Sequence, residues 1–356
     1  MTAGVPDSAV CYLVRKTGKN QIDAGIERRP LHELPAGDLL VRVVYSSLNY
    51  KDAMAATGHP GIVKSFPHVP GIDAAGTVIA SESEDFRAGD PVIVTGYELG
   101  AERWGGWAEY VRVPSEWAVP LPSGLSLKEA MIYGTAGFTA AQSVRALLQN
   151  DITPQAGEVL VSGASGGVGS IAVAVLAKLG YEVAAVTGKP EKADWLKQQG
   201  AARIVERQSV IDKSSRPLLP ARWAAAVDTV GGTLLTTTVR STKHRGCVTC
   251  CGLVGGSELP LTVYPFILRG VRLIGIDSAR CPRESRREIW RLLAGDWKPD
   301  QLNGLAEEID IRQVGKSVEQ MLSGRHSGRA VIVLNPADAS DRSRSQANAL
   351  GPGSRG

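Results

Sequence analysis

The sequence predicts an α/β protein in which a doubly wound parallel sheet accompanies a β-rich portion of the chain. The stretch 158–189 reads as strand, glycine turn, helix and strand, which is the order of a βαβ unit. Further short apolar segments follow it and bring the total to six strands, which fits a doubly wound sheet. These segments are 203–205, 224–228, 247–251 and 272–276.

The residues of the βαβ unit predict its elements one by one. Residues 159–161 form an all-apolar run, as expected of a parallel strand that is covered on both faces. From Val168 onward apolar residues recur at helical spacing, which predicts a helix. Gly180 ends that helix, because glycine adopts the left-handed backbone of a helix stop without a steric penalty. Residues 181–186 form the second strand.

The turn between strand and helix carries Gly163, Gly166, Gly167 and Gly169, spaced G-x-x-G-G-x-G. Without a Cβ, these residues let the backbone turn tightly and let a pyrophosphate approach the first amides of the helix. The spacing differs from G-x-G-x-x-G, so the surrounding strand–turn–helix–strand order is what supports the motif. The sequence therefore predicts a dinucleotide-binding site.

The end of the second strand predicts which dinucleotide binds. NAD sites place Asp or Glu there to bind the ribose 2′-hydroxyl, whereas NADP sites need room and positive charge for a phosphate. Here Thr187, Gly188 and Lys189 follow Val186, and the first carboxylate is Glu191. The hydroxyl of Thr187 and the charge of Lys189 predict NADPH. The alternative is that Lys189 is an ordinary solvated loop lysine.

The remainder of the chain divides by its pattern. Alternating apolar residues from Leu39 and short strand candidates at 75–80, 91–94 and 107–113 give the N-terminal portion a β character. Strand and helix alternate after about residue 130, and the last clear strand is at 330–334. The predicted division is 1–130 for the first part of a β-rich domain, 131–278 for the dinucleotide-binding domain, 279–335 for a return to the first domain, and 336–356 for a disordered tail rich in Ser, Arg, Asn, Gly and Ala.

Length and composition exclude several classes of function. At 356 residues, with a formal net charge of +4, the chain suits two domains and gives no sign of a nucleic-acid partner. Its first ten residues lack the features of a secretion signal, and the apolar helical run 171–177 is too short to cross a bilayer. Five cysteines favour a reduced compartment. We therefore expect a cytoplasmic protein without membrane attachment.

Cys247 and Cys250 match C-x-x-C, yet a metal site would need a second such pair or nearby histidines, and the sequence has neither. The segment around them instead predicts a buried strand in which cysteine serves as a small apolar side chain.

Six motifs resemble those of the medium-chain dehydrogenase/reductase superfamily, and more narrowly its zinc-free quinone-oxidoreductase-like branch, which includes bacterial NADPH-dependent acrylyl-CoA reductases. The resemblance covers about residues 10–335. The motifs are SSLNYKDA at 46–53, PGIDAAGTV at 70–78, GTAGFTAA at 134–141, SGASGGVGS at 162–170, DTVGG at 228–232 and PFILRGVRLIGIDS at 265–278.

The resemblance implies a fold and a set of site residues. It implies a GroES-like catalytic domain, a Rossmann domain inserted into it, a cofactor cleft between the two, and homodimers formed through the Rossmann sheets. The implied site residues are Asn49 and Tyr50 beside the nicotinamide and substrate, Thr139 near the cofactor, Ser165, Gly166, Gly167 and Val168 on the pyrophosphate, Thr187, Gly188, Lys189 and Arg207 on the 2′-phosphate, and Leu253, Ile276 and Ser278 on the nicotinamide side.

The chain departs from the zinc-dependent relatives at their metal ligands. Those enzymes have cysteine where 49–52 stands and Gly-His-Glu where 71–73 stands, and the structural-zinc loop is missing around 97–104. We therefore expect no bound metal. Without a Lewis acid to stabilise an alkoxide, hydride addition to an activated C=C bond is the easier chemistry.

The reaction expected from the resemblance is NADPH-dependent conjugate reduction of a short enoyl-CoA, acryloyl-CoA to propionyl-CoA. Tyr50 is the side-chain acid that the sequence places at the site, with Asn49 as the residue that orients the substrate. The alternative is that Tyr50 only stacks on the nicotinamide and that water supplies the proton.

Two other functions remain open from the sequence, an NADPH-dependent quinone or enal oxidoreductase and a non-catalytic NADPH-binding protein. Five arginines that follow the last Rossmann strand present a further alternative, since they could bind CoA phosphates or form a solvated helix face. They are Arg280, Arg283, Arg286, Arg287 and Arg291.

Overall fold

The computed structural model describes residues 5–19 and 21–335. These residues form sheets of two, six and seven strands with helices packed against them. The tail predicted to be disordered, 336–356, lies outside the described residues, and its disorder stays a prediction.

The strands and α-helices of the described chain have the following bounds. The strands are β1 Ser8–Lys16, β2 Ile22–Pro30, β3 Leu39–Ser47, β4 Asp73–Ser81, β5 Pro91–Thr95, β6 Tyr110–Val113, β7 Ala118–Pro120, β8 Val159–Val161, β9 Val183–Thr187, β10 Arg203–Glu206, β11 Trp223–Asp228, β12 Thr242–Cys250, β13 Arg272–Gly275, β14 Ala306–Asp310 and β15 Arg329–Val333. The helices are α1 Tyr50–Ala56, α2 Leu127–Gln149, α3 Gly167–Lys178, α4 Ala193–Gln198, α5 Gly232–Arg240, α6 Tyr264–Arg269, α7 Arg283–Ala294 and α8 Val314–Leu322.

The six-stranded sheet is parallel throughout, with the order β10-β9-β8-β11-β12-β13. This is the doubly wound order that reverses between β8 and β11, so the predicted fold class is confirmed. β12 begins at Thr242, earlier than predicted, because Trp223 of β11 pairs with Thr242 before a register shift. The helix α3 ends before Gly180, which has the positive φ of 82° expected of a helix stop.

The seven-stranded sheet combines strands from the N-terminal portion of the described chain with the last two strands, β14 and β15. Its order is β14-β15-β3-β4-β5-β7, and β6 pairs with β3 beside this path. Because β15 lies antiparallel to β3, the residues just before β15 reach the same region as those just after β3. β14 and β15 thus lie in the same sheet as β3, whereas the division of the chain into domains stays a prediction.

The helix α2 connects the two large sheets. It packs on α3 and also against β3 and β4, and one continuous apolar core runs from residues of the seven-stranded sheet through α2 into the parallel sheet. Gly134 interrupts the helix with φ 50° and ψ −155°, a backbone conformation that favours glycine. The kink allows one helix to contact both sheets and places its middle at the cleft between them.

Two of the five arginines after β13, Arg283 and Arg286, are engaged in contacts with other parts of the chain. Arg286 is buried, and its guanidinium donates to the Thr95 carbonyl at 2.8 Å and to the Ser278 carbonyl at 3.0 Å. Arg283 pairs with Asp85 at 2.6 Å, and Arg291 is exposed. The structure thus gives Arg286 a structural role that ties β5 to the segment after β13, and its guanidinium is not available for a CoA phosphate.

Two sequence expectations concern the compartment of the protein. All five cysteines are free, and Cys247 is buried in β12, where burial raises its thiol pKa to about 11. None of the helices within 5–19 and 21–335 is long and apolar enough to cross a membrane.

Candidate active site

The glycine turn after β8 builds the first half of the site. Gly163 has φ 57°, and a Cβ there would lie 2.4 Å from the Thr229 Oγ1 atom. A Cβ on Gly169 would lie 2.3 Å from the Gly163 carbonyl oxygen, so the close approach of turn and helix requires glycine. α3 begins at Gly167 without any side-chain cap on its first amides. A helix end with this arrangement stabilises a bound anion.

A cleft of about 320 Å³ borders this helix end. The glycine turn lines it on one side, and residues from distant parts of the chain line the other. Its lining includes the predicted Tyr50, Ser165, Gly166, Gly167, Val168, Lys189 and Arg207, together with Val254 and His326, which the sequence did not single out. The structure therefore brings together most of the residues that the resemblance assigned to the cofactor phosphates.

The segment after β9 lies at one end of this cleft. The Thr187 hydroxyl is 3.0 Å from the Ser165 hydroxyl and accepts a hydrogen bond from the Lys189 amide at 3.0 Å. Arg207 lies directly over Gly188, where a Cβ would come within 2.2 Å of its Nη2 atom. Thr187, Gly188 and Arg207 also line a second cavity of about 480 Å³. The three predicted positions are therefore contiguous in space.

Lys189 bonds to the far side of the cleft. Its Nζ atom donates to the Ser327 hydroxyl at 3.0 Å and also to the His326 carbonyl. Partial burial lowers its pKa, and the nearby positive charges of Lys192 and Arg207 add to the lowering. The structure thus shows Lys189 as a partnered lysine rather than the solvated loop lysine of the alternative interpretation.

His326 contributes a neutral imidazole to the cleft. Burial, assisted by the charges of Arg329 and Lys189, lowers its pKa to about 4. Its Nε2 atom is buried and has no hydrogen-bond partner among the described residues. An unpaired buried nitrogen suits a ligand that brings its own hydrogen-bonding groups. No sequence signal identified this residue, because it lies far from the glycine turn along the chain.

A separate pocket of about 310 Å³ adjoins the cleft at Val168, which lines both. Four predicted site residues line the pocket: Asn49, Thr139, Ile276 and Ser278. Lys51 and Cys251 also line it, and the sequence reasoning had assigned no role to either. Lys51 stands next to Tyr50 in the motif SSLNYKDA, and that position was the sequence signal that could have identified it. Neighbouring residues of a helix point in different directions, so the two side chains can line different spaces.

Tyr50 and Leu253 do not line the pocket that contains Asn49. Tyr50 is 45% exposed and lines the phosphate cleft, but it does not line the pocket that contains Asn49. Leu253 is 67% exposed and lines neither space, although its neighbour Val254 borders the cleft. Their predicted roles at the nicotinamide therefore stay predictions without geometric support.

Asn49 is held by a buried network of polar side chains. It is the N-cap of α1 and forms a capping box with Asp52. Its Nδ2 atom donates to Asp73 at 2.8 Å and to Asp52 at 3.0 Å, and its Oδ1 atom accepts from Arg329 at 3.2 Å. The side-chain amide of Asn49 is thus fully engaged on both its oxygen and its nitrogen.

Asp73 receives hydrogen bonds from three segments of the chain. Ser47 donates to it from β3 at 2.5 Å, and Thr135 donates from α2 through its amide at 2.9 Å and its hydroxyl at 2.6 Å. Gly134 makes this approach possible, because a Cβ there would lie 2.4 Å from an oxygen of Asp73. Asp73 stands within the segment where zinc-dependent relatives have Gly-His-Glu. In this chain its carboxylate serves the network.

The carboxyl group of Asp52 has a raised pKa. Burial raises the pKa of its carboxyl from 3.8 to about 7, and the nearby charge of Asp73 adds to the rise. Hydrogen bonds from the amides of Ile72 and Asn49 act in the opposite direction, because they stabilise the ionised form. Asp52 is therefore the carboxyl in this network that titrates near neutral pH.

The raised pKa of Asp52 predicts a pH-dependent effect of Asp52→Asn. From about pH 4 to pH 7 the folded chain keeps a proton that the unfolded chain has lost, so the wild-type stability due to this group falls as pH rises. Asparagine does not titrate. The free energy of unfolding of the variant minus that of the wild type should therefore rise by about 2–4 kcal/mol between pH 4 and pH 8. Urea unfolding at several pH values measures this, and a constant difference would contradict it.

Comparisons with curated proteins identify close relatives along nearly the whole chain. The putative quinone oxidoreductase YhfP of Bacillus subtilis is 47% identical over 319 residues, 89% of this chain and 97% of its own. The acrylyl-CoA reductase AcuI of Ruegeria pomeroyi is 44% identical over 320 residues, 90% of this chain and 96% of its own.

Solved structures agree with these relatives. The yhdH oxidoreductase of Salmonella enterica, in complex with NADP, superposes with a TM-score of 0.89 at 46% identity, over 92% of this chain and all of its own. The structure of Bacillus subtilis yhfP, with NAD bound, has a TM-score of 0.89 at 45% identity and covers 92% of this chain and 99% of its own.

Two family profiles match the chain as well. Residues 35–123 match the one described as alcohol dehydrogenase GroES-like domain, and residues 167–295 match the one described as zinc-binding dehydrogenase. Within the part of the chain that the structure describes, no group of three or more His, Cys, Asp or Glu residues is arranged to hold a metal ion. The chain therefore belongs to the medium-chain dehydrogenase/reductase superfamily, in the branch of the quinone oxidoreductase YhfP and the acrylyl-CoA reductase AcuI.

Proposed function

We propose that this protein reduces the C=C bond of a short enoyl-CoA with NADPH and without a metal, acryloyl-CoA to propionyl-CoA being the favoured reaction. One observation carries the proposal: a cleft at the uncapped start of α3, suited to an anion, adjoins at Val168 a separate pocket lined by both polar and apolar residues. The cleft suits a dinucleotide and the pocket suits a small acyl group. A relative that is 44% identical along 90% of the chain is named an acrylyl-CoA reductase, which supplies the substrate class.

NADPH is the proposed cofactor on the strength of this chain's own residues. The relatives do not decide the matter, because yhdH holds NADP and yhfP holds NAD. β9 ends in Thr187 and is followed by Gly188 and Lys189, so the end of this strand carries no Asp or Glu of the kind that binds a ribose 2′-hydroxyl. Arg207 covers Gly188 and Lys189 borders the same cleft, which gives two positive charges for that phosphate.

The other site residues take roles that their positions support. The first turn of α3 and Ser165 would hold the pyrophosphate, and His326 would donate to it from the opposite side. Val168, Thr139, Ile276 and Ser278 would surround the nicotinamide at the junction of cleft and pocket. Bound there, NADPH supplies a hydride to the β-carbon of the substrate.

Asn49 and Tyr50 do not supply the proton in this proposal. The Asn49 amide is occupied by Asp52, Asp73 and Arg329, so its part is to hold the start of α1 in place. Tyr50 borders the phosphate cleft, which favours the alternative in which it packs on the cofactor. Positioning of the two reactants then contributes a large part of the rate enhancement.

The residues at the metal positions of zinc-dependent relatives support metal-free chemistry. Asn49 donates to both Asp52 and Asp73, and Arg329 places a positive guanidinium within the same cluster. A buried cation beside these carboxylates disfavours a divalent metal at the same place. Nearby, His68 is buried and its Nε2 atom lies 3.0 Å from the Gly100 carbonyl oxygen.

A homodimer is proposed for this chain from one edge of the parallel sheet. β13 is the last strand there, and the adjoining α6 exposes large apolar side chains. Tyr264, Ile267 and Leu268 are 44, 68 and 54% exposed. A second copy that paired along β13 would cover this surface. We also propose a cytoplasmic location, which the five free cysteines support.

The first prediction from the proposed function concerns the choice of cofactor. NADPH should bind more tightly than NADH, and Lys189→Glu should remove about ten- to a hundredfold of that preference, because one charge-assisted contact contributes about 1.5–3 kcal/mol. Fluorescence titration with both cofactors measures it. The control is Lys197→Glu, since Lys197 is exposed on α4 and does not line the cleft. Equal affinities of the wild type for the two cofactors would refute the assignment.

The second prediction concerns metal. Elemental analysis of the purified protein should find no stoichiometric zinc, and prolonged incubation with a chelator should leave the rate of NADPH oxidation unchanged. The reason is that the carboxylates and amide at the former ligand positions are already engaged with one another and with Arg329. One zinc ion per chain whose removal abolishes turnover would overturn it.

The third prediction concerns substrate. kcat/KM should be highest with acryloyl-CoA, lower with crotonoyl-CoA and far lower with free acrylate, because the CoA portion provides binding energy remote from the reacting carbons. NADPH oxidation with each compound, and with a quinone, measures the order. A higher kcat/KM for the quinone would favour the quinone oxidoreductase alternative, and no turnover with any compound would favour a non-catalytic NADPH-binding protein.

A further inference from the structure

Two adjacent residues at the start of α1 line different spaces. Tyr50 borders the phosphate cleft, whereas Lys51 borders the pocket that contains Asn49. Successive residues of a helix are rotated by about 100°, so neighbours in the first turn project in different directions. The hydrogen bonds of Asn49 to Asp52 and Asp73 hold that turn in one orientation. Lys51 is therefore directed to the substrate side of the site by the buried network.

Lys51 is a half-buried lysine that forms no hydrogen bond or ion pair with any residue that the structure describes. Among the described residues that line the pocket, Lys51 is the one with a basic side chain and Asp277 is the one with an acidic side chain. Asp277 already accepts hydrogen bonds from the amides of Ala279 at 3.0 Å and Arg280 at 3.1 Å. The positive charge of Lys51 is thus left for a ligand in the pocket.

Most other polar side chains of the pocket already have partners. The Thr139 hydroxyl donates to the Thr135 carbonyl at 2.6 Å, and the Thr135 hydroxyl donates to Asp73. The Cys251 thiol bonds to the Asp228 carbonyl at 3.4 Å, and burial raises its pKa to about 12, so it stays protonated and unreactive. The hydroxyls of Tyr97 and Ser278 are neutral donors. A charged donor forms hydrogen bonds roughly twice as strong as neutral ones.

We propose that Lys51 is the catalytic acid of the reduction, an inference that rests on the proposed function. Bound NADPH would supply the hydride at the β-carbon, and the electron pair of the C=C bond would then move onto the thioester oxygen. The Lys51 ammonium stabilises that charge. One of its N–H bonds then breaks as the enolate electron pair forms the new C–H bond at the α-carbon, and the resulting amine takes a proton back from solvent.

Lys51→Met tests the proposal by two independent measurements. With acryloyl-CoA and NADPH, kcat should fall by about 10²–10³, the range for loss of one donor to a developing oxyanion. The dissociation constant of NADPH should change less than twofold, because Lys51 does not line the phosphate cleft. Lys51→Arg should keep more of the rate than Lys51→Met, since it keeps a positive charge. Lys64→Met is the control, because Lys64 is exposed and outside the pocket.

The stereochemistry of protonation separates an acid from a residue that merely shapes the pocket. In D₂O the wild type should give 2-deuteriopropionyl-CoA of a single configuration at the α-carbon. Lys51→Met should give both configurations, because water would then deliver the deuteron from either face.

Four outcomes would overturn the assignment. Unchanged kcat in Lys51→Met removes Lys51 from the chemistry, and a slow variant that still gives a single configuration makes another group the acid. A loss of configuration in Tyr97→Phe but not in Lys51→Met assigns the proton to the Tyr97 hydroxyl instead. If the wild type reduces no enoyl thioester, both this inference and the proposed function fail, whereas the other outcomes leave the proposed function intact.

Discussion

The buried carboxylate of Asp73 is the constraint on which the site depends. A buried charge must be compensated, and Asp73 is compensated by donors from β3, the start of α1 and the kinked middle of α2. Each donor brings its own segment to one point. Arg329 completes the cluster by donating to the carbonyls of Leu48 at 3.0 Å and Ile132 at 2.9 Å. Loss of the Asp73 charge would leave these segments without a common anchor.

This anchor decides what faces the reactants. It makes Asn49 the N-cap of α1, and the direction of α1 then sends Tyr50 to the phosphate cleft and Lys51 to the pocket. The same positions hold metal ligands in zinc-dependent members of the superfamily. Here they form a hydrogen-bonded network with Arg329. In our proposal the charged donor for the chemistry is Lys51, which this network orients.

Hydrogen bonds across the cleft link the parallel sheet to the chain segment that precedes β15 of the seven-stranded sheet. The Gly328 amide donates to the Ser165 carbonyl at 2.9 Å, so the chain before β15 lies directly on the glycine turn. Lys189 reaches the same segment through Ser327. A 2′-phosphate that binds Lys189 therefore has to share it with this contact or replace it. In the proposed cofactor site, the choice of cofactor would therefore be coupled to this contact through the Lys189 ammonium group.

The sequence by itself determined the elements of the parallel sheet and the class of the fold. The strands β8 to β13, the glycine turn and the helix stop at Gly180 depend on local patterns, that is, apolar runs, helical spacing and backbone conformations open to glycine. The absence of a carboxylate after Val186 is equally local, which is why it could be interpreted without coordinates. These signals lie within a few residues of what they specify.

Only the tertiary structure decided which side chains share a space. Arg329 and His326 reach the site from nearly 280 residues beyond Asn49, and β15 places them there by pairing with β3. Arg286, which could have met a CoA phosphate, is buried against Thr95 instead. We propose Lys51 rather than Tyr50 as the acid, because the network sets the rotation of α1 and thereby decides which of the two residues lines the pocket. Such placements depend on packing and charge compensation between distant segments, and no local pattern in the chain records them.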